Sequence, residues 1–282
     1  GRLTGERLKD RIALVTGASR GLGRAVALAF AREGAHVLLL ARSMTMLGRV
    51  DDDIRAIGGS ASLVPLDLTD GQAIDALGPS LYERFGRLDV LVGNAAILGT
   101  LSPLPHIPSA HWDRVFAVNV TANWRLIRTL DPLFRRSDAA RVIFVTSGVA
   151  RSARAYWAPY SVSKAALEAL AKTYANETAD TPIRVNLVDP GALATGMRAE
   201  AYPGEDQATL PTPEQVTEPL QKRPGTVVLW EDLDRILEYK DPWGEWARKK
   251  LLQLAEEVDN HLAMVFHRFL AGEVRGHKLV IR

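Results

Sequence analysis

Short apolar runs alternate with longer helix-like segments through the first two thirds of the chain, and that alternation leaves few folds open. Residues 11–16 (RIALVT), 35–41 (AHVLLLA), 61–66 (ASLVPL), 88–93 (LDVLVG), 141–146 (RVIFVT) and 183–188 (IRVNLV) are short, rich in Val, Ile and Leu, and bounded by Gly, Asp or Pro. Runs of this kind suit strands buried on both faces. The segments between them, such as 24–33 and 164–177, carry Ala and Leu at helical spacing. Strand, helix, strand in this order predicts a parallel sheet covered by helices on both sides. The expected architecture is an α/β, doubly wound parallel sheet.

Composition narrows the function. The chain has no cysteine, which excludes a disulfide framework, thiol catalysis and cysteine-ligated zinc. A formal charge of +2 from 35 basic and 33 acidic side chains offers no electrostatic footprint for nucleic acid. Residues 1–10 are polar and hold no signal-like apolar run, and no stretch approaches ~18 consecutive apolar residues. The expectation is a cytoplasmic protein with no membrane or nucleic-acid partner. The six histidines show no metal-ligand spacing, so no metal is expected. The acidic run Asp51, Asp52, Asp53 reads as a solvated helix start.

Directly after the first apolar run stands Thr16-Gly17-Ala18-Ser19-Arg20-Gly21-Leu22-Gly23. Glycines here let the backbone turn tightly and approach a ligand, and the helix that comes next offers free N–H groups to a pyrophosphate. Taken alone, the glycine trio fits an ordinary strand–helix turn as well. Further along, Tyr160 and Lys164 are four residues apart, so on a helix they share a face. A phenol with a reference pKa near ~10 is a poor proton carrier at neutral pH, and a nearby ammonium is expected to lower it. Ser147 comes after the fifth run, at the strand end where α/β sheets place ligands, and its hydroxyl suits stabilisation of alkoxide charge.

The spacing TGxxxGxG, together with several motifs C-terminal to it, resembles the short-chain dehydrogenase/reductase family over residues ~8–219. Asp67-Leu68 stands after the third strand, Gly93-Asn94-Ala95-Ala96 is similar to the family's NNAG stretch with Gly93 and Ala96 replacing Asn and Gly, and Tyr160-Ser161-Val162-Ser163-Lys164 matches YxxxK. Asp189-Pro190-Gly191, ending in Thr195, is similar to the family's PGxxxT turn. The resemblance implies a Rossmann-type fold, with the strands in the order 3-2-1-4-5-6, and a catalytic set of Ser147 (substrate orientation), Tyr160 (acid/base), Lys164 (tuning and ribose binding) and Asn119 (holding a water that connects Lys164 to solvent). It also implies cofactor contacts at Gly17, Ser19, Arg20, Gly21, Leu22, Gly23, Arg42, Asp67, Leu68, Asn94, Ala95, Tyr160, Lys164, Pro190, Gly191 and Thr195. Asp67 and Leu68 would contact adenine, and the turn ending in Thr195 would hold the nicotinamide.

The second strand ends in Leu40-Ala41-Arg42, without the acid that binds an NAD ribose hydroxyl. Arg42, with Arg20 closing from the glycine turn, suits a 2′-phosphate, so NADP is the expected cofactor over NAD. The expected reaction is NADP(H)-linked interconversion of a small-molecule carbonyl and alcohol, an acyl-thioester ketone being one form. The alternative is a catalytically weak or inactive nucleotide-binding protein of the same fold. The family's helix interfaces imply a homo-oligomer, dimer or tetramer.

From about residue 201 the pattern breaks. Pro203, Pro211, Pro213, Pro219 and Pro224 mark a loop-rich segment, and 230–269 is a long charged helix-like stretch. The family normally ends in a helix, a seventh strand and a GG-containing tail, and residues 220–282 do not read that way. Residues 225–282 resemble a fragment of the GHKL-type ATPases, without the ATP-binding motifs, which raises the option of a fusion or chimera. The other option is a divergent family C-terminus with 278–281 as the seventh strand. The chain is therefore divided into an NAD(P)-binding Rossmann-type catalytic domain, 1–219, and an atypical, mostly helical segment, 220–282.

Overall fold

A computed structural model describes residues 7–217. The expectations placed on 220–282, including the seventh strand and the GHKL resemblance, lie outside the described residues. Six strands, β1 (Ile12–Thr16), β2 (His36–Ala41), β3 (Ser60–Pro65), β4 (Val90–Gly93), β5 (Arg141–Val145) and β6 (Arg184–Val188), form one sheet in the order β3-β2-β1-β4-β5-β6. Every pairing is parallel, with Leu14 opposite both Leu38 and Leu91. The order reverses between β1 and β4, the place where such sheets open a crevice.

The helices are α1 (Gly21–Arg32), α2 (Met44–Ala56), α3 (Gly71–Phe85), α4 (Ser109–Phe116), α5 (Ala122–Phe134), α6 (Val149–Ser152), α7 (Ala158–Glu177), α8 (Gly196–Ala201) and α9 (Pro213–Thr217). Between α4 and α5 the chain takes a π-helical turn, Ala117–Thr121. Leu14, Leu38, Leu40, Leu91 and Phe144 form one buried cluster with α3, α5 and α7 through Ile74, Leu126, Phe134 and Leu167. The intervening strand residues Ala13, Val15, Val37 and Leu39 are equally buried and by the two-residue period face the other layer. The apolar runs are continuous because both faces are covered.

The acidic run does not start a helix. α2 begins earlier, where Ser43 accepts the Met46 N–H at 3.3 Å. Asp51 lies mid-helix, buried and paired with Arg55 at 2.8 Å, while Asp53 pairs with Arg24 of α1 at 2.9 Å. Asp51 is buried against Arg55, while Asp53 pairs with Arg24 and stays partly exposed, contacts that the local charge pattern does not reveal.

Candidate active site

The loops leaving the C-terminal ends of β1, β4, β5 and β6 build the site. Thr16, at the last position of β1, ties two of them: its Oγ1 accepts the N–H groups of Asn94 and Ala95, each at 3.0 Å. Asn94 returns the contact by donating Nδ2 to the Thr16 carbonyl at 3.0 Å. The glycine turn closes against this pair. Gly17 has φ +66°, and a Cβ on Gly23 would stand 2.3 Å from the Gly17 carbonyl oxygen. Only glycine permits both the left-handed turn and that approach.

Beyond the turn, α1 opens at Arg20 with no side-chain cap and no acid in its first turn, unlike α2 and α3, whose N-caps Ser43 and Asp70 accept N–H groups. The unspent N–H groups and the positive helix end around Gly21, Leu22 and Gly23 are complementary to a pyrophosphate. The glycine cradle therefore fits a dinucleotide. Ser19 is half-buried beside it. Arg42 is exposed at the end of β2. Arg20 is exposed too, and its guanidinium lies beside Gly196 at the start of α8. Next to β3, Asp67 accepts the Thr69 N–H and hydroxyl, both at 2.9 Å. Those bonds, with Arg42 and Arg114 adding, hold its carboxyl below the usual range. Leu68 is buried behind it.

Tyr160 and Lys164 lie on one face of α7, with the Lys164 Nζ 5.6 Å from the Tyr160 ring centroid. Lys164 is 1 % exposed, and its ammonium donates to the Val145 carbonyl at 2.7 Å. Two residues on, Ser147 is half-buried in the loop after β5. Burial pushes the Tyr160 phenol up to about 12, with Asp189 adding to the rise. Burial pushes Lys164 down to about 8, opposed by Asp189. The expected lowering of the phenol by Lys164 is thus not what the protein alone produces, because the low-dielectric setting that buries both groups disfavours both charged forms.

Asn119 sits in the π-helical turn, fully buried. Its Nδ2 donates to the Ile97 carbonyl and to Ser163 Oγ, both at 3.0 Å, and its Oδ1 accepts the Ile97 N–H at 2.9 Å. Ser163 Oγ in turn donates to the Tyr160 carbonyl at 2.8 Å. The side chain is spent on joining the loop after β4 to α7, leaving its amide no donor for a water.

Behind Ser147, Thr146 donates to the buried Glu168 at 2.6 Å, and Arg151 reaches both Glu168 at 3.4 Å and Asp189 at 3.5 Å. Asp189 also accepts the Gly191 N–H at 3.0 Å, which shapes the turn through Pro190 and Gly191. Thr195 caps α8 by accepting the Arg198 N–H at 3.3 Å. Glu168 was not legible as a site residue; Thr16 and Asp189 stood in the glycine-turn and Pro-Gly motifs, but without a role of their own.

A family profile described as short chain dehydrogenase matches residues 11–206. The uncharacterized oxidoreductase YciK of Escherichia coli K12 is 38% identical over 212 residues, covering 74% of this chain and 84% of the relative. A short chain dehydrogenase structure from Pseudomonas syringae, described as putative, superposes with a TM-score of 0.73 at 43% identity, covering 75% of this chain and 87% of its own. A second structure, from Escherichia coli CFT073 and complexed with NADPH, gives a TM-score of 0.73 at 38% identity, covering 76% and 90%. The resemblance of residues 225–282 to GHKL-type ATPases finds no support in these comparisons.

Proposed function

The chain belongs to the short-chain dehydrogenase family, and from that premise we propose that it interconverts a carbonyl and an alcohol on a small-molecule substrate with NADP(H). The observation that carries the reading is Tyr160 and Lys164 on one face of α7, joined through Val145 to the loop that holds Ser147. When bound, the nicotinamide supplies the hydride for reduction and receives it in oxidation.

In reduction Tyr160 gives its phenolic proton to the oxygen as the carbon becomes an alcohol; in oxidation it takes that proton back. Ser147 donates a hydrogen bond to the oxygen as it gains charge. Lys164 places a cation beside the phenol and, with Tyr160, the ribose. Asn119 is a positioning residue that sets α7 against the loop after β4.

Gly17, Ser19, Arg20, Gly21, Leu22 and Gly23 would hold the pyrophosphate, Asp67 and Leu68 the adenine, and Pro190, Gly191 and Thr195 the nicotinamide end, with Asn94 and Ala95 as further cofactor contacts beside the glycine turn. NADP over NAD is supported by Ala41, which leaves no acid at the end of β2 to bind a ribose hydroxyl, by Arg42 next to it and Arg20 in the glycine turn, and by the NADPH held in one related structure. We extend the proposal to a homo-oligomer, dimer or tetramer, since Trp124 of α5 and Val162 of α7 are exposed apolar side chains, each 43 % accessible; light scattering reads the mass. The division into 1–219 and 220–282 belongs to the same proposal, supported by the family match ending at residue 206.

The test is NADPH and NADH oxidation against a panel of aldehydes and ketones by wild type and Tyr160→Phe. Wild type should favour NADPH, and the variant should lose ~10²–10⁴-fold in rate while binding NADPH as before. A variant that keeps more than about a tenth of the rate refutes the role of Tyr160, and a wild type faster with NADH refutes the cofactor choice.

A further inference from the structure

Beside Tyr160 the described residues build a wall that the reaction itself does not require. The Trp157 ring meets the Tyr160 ring edge-on at 6.2 Å and the Tyr202 ring at 5.6 Å. The guanidinium of Arg154 lies 5.7 Å from the Trp157 centroid and 5.3 Å from that of Tyr202, and it donates to the Tyr202 hydroxyl. On its other side Tyr202 is covered by Arg198 at 3.8 Å. Two loops from different strands therefore meet in a stack of rings and cations, next to the proton donor.

The charges in this wall are not equivalent. Arg198 is neutralised by a bidentate pair with Glu205, at 2.5 and 2.6 Å. Arg151, at the other side of the loop, is paired with Glu168 and Asp189. Arg154 has no carboxylate partner among the described residues; its contacts are a phenol and two ring faces. A guanidinium carries five N–H donors in a fixed fork, and the hydroxyl takes one of them. What remains is an exposed cation, oriented by aromatic faces and matched in geometry to a carboxylate or phosphate.

The backbone holds this arrangement at a cost. Ala153 and Tyr156, on either side of Arg154, have φ +45° and +72°, conformations that disfavour residues with a side chain and persist where the surroundings impose them. The Ser102 N–H fixes the loop from the far side by donating to the Tyr156 carbonyl at 3.0 Å. Strain on both flanks of an uncompensated arginine is consistent with a residue placed for a ligand.

We infer that Arg154 anchors an anionic substituent of the substrate, a carboxylate or a phosphate, separated from the reacting carbonyl by an apolar spacer about one ring long that lies along Trp157. The inference rests on the proposed carbonyl chemistry at Tyr160 and adds the class of compound that reaches it. Trp157 and Tyr202 supply the apolar wall, and Arg154 sets which end of the substrate faces outward.

Calorimetric titration of the NADPH-loaded protein, on which an alcohol cannot react, with 4-(hydroxymethyl)benzoate and 4-(hydroxymethyl)phenylacetate, each against its methyl ester, tests this. The acid of at least one pair should bind about tenfold or more tighter than its ester. Arg154→Gln should lose about that factor for the acid and leave the ester within about twofold, and Arg154→Lys should fall between them because it keeps charge without the fork. The same titrations in the Tyr160→Phe background separate the two readings. Acid preference that survives there, alongside a Tyr160→Phe enzyme that still turns over, removes the catalytic assignment and keeps the anion subsite. An inactive Tyr160→Phe enzyme without acid preference removes the subsite alone. Equal binding of acid and ester by wild type, no binding of either, or an unchanged acid affinity in Arg154→Gln overturns the inference.

Discussion

Lys164, proposed above to serve the site, is a cation buried at the expense of stability. It is charged in the unfolded chain up to its ordinary 10.5, while in the folded protein burial brings it down to about 8. Below pH 8 both states carry the proton and the native state bears the full penalty of a buried ammonium. Between about 8 and 10.5 the unfolded state binds more protons, so stability from this group rises with pH through that window. At neutral pH the penalty is on the order of 3 kcal/mol, offset in part by the bond to Val145. Lys164→Met should therefore unfold at higher urea at pH 7, by ~1–3 kcal/mol, while losing turnover. Its advantage should shrink at pH 10. A variant less stable than wild type at pH 7 would mean that the Val145 contact outweighs the desolvation.

At the level of elements, the seam between α3 and α5 depends on one glycine. Pro79 inside α3 has no N–H, so the Asp75 carbonyl one turn back loses its helical donor. Thr129 of α5 replaces it, donating Oγ1 to that carbonyl at 2.9 Å and accepting the Gly78 N–H at 3.2 Å. This exchange requires the helices to touch, and a Cβ on Gly78 would stand 2.2 Å from the Thr129 carbonyl oxygen. Gly78→Ala should cost ~2–4 kcal/mol by forcing the helices apart, although alanine is the better helix former. Thermal unfolding checks it, with Thr129→Ser as a control that keeps the hydroxyl and should stay within ~1 kcal/mol of wild type. A neutral Gly78→Ala would show that the seam yields.

For the described domain as a whole, the two edges of the sheet have different tasks. The site lies at the C-terminal ends of the strands, and the opposite edge is tied together by Asp89, which is fully buried. Asp89 accepts the Ile12 N–H at 2.9 Å, the Ser137 hydroxyl at 2.6 Å, and guanidinium contacts from Arg87 at 3.2 Å and Arg11 at 3.3 Å. Asp89→Ala leaves these donors without their acceptor and should cost ~3–5 kcal/mol in urea unfolding. The kcat of the protein that remains folded should stay within about twofold, since catalysis and this cluster sit at opposite ends of the strands. A large fall in kcat with unchanged stability would contradict that separation. Among the described residues no helix is long and apolar enough to cross a membrane.

The strands and the parallel sheet were legible because they arise from local rules, and the strand order came with the family resemblance. An apolar run buried on both faces has the same look wherever its neighbours come from, and parallel crossovers admit few arrangements. The glycine turn, a spacing from strand into helix, and the Tyr160–Lys164 pair, a spacing along one helix, were legible in the sequence, and the family resemblance singled both out. The π-helical turn that seats Asn119, the pairing of Asp53 with Arg24, and the Thr16–Asn94 tie were not, because each joins residues brought together only by folding. The same holds for the state of the site. Adjacency in sequence predicted a phenol lowered by a lysine, whereas burial holds it up at about 12. Desolvation is a property of everything packed around a group, and no spacing along the chain encodes it.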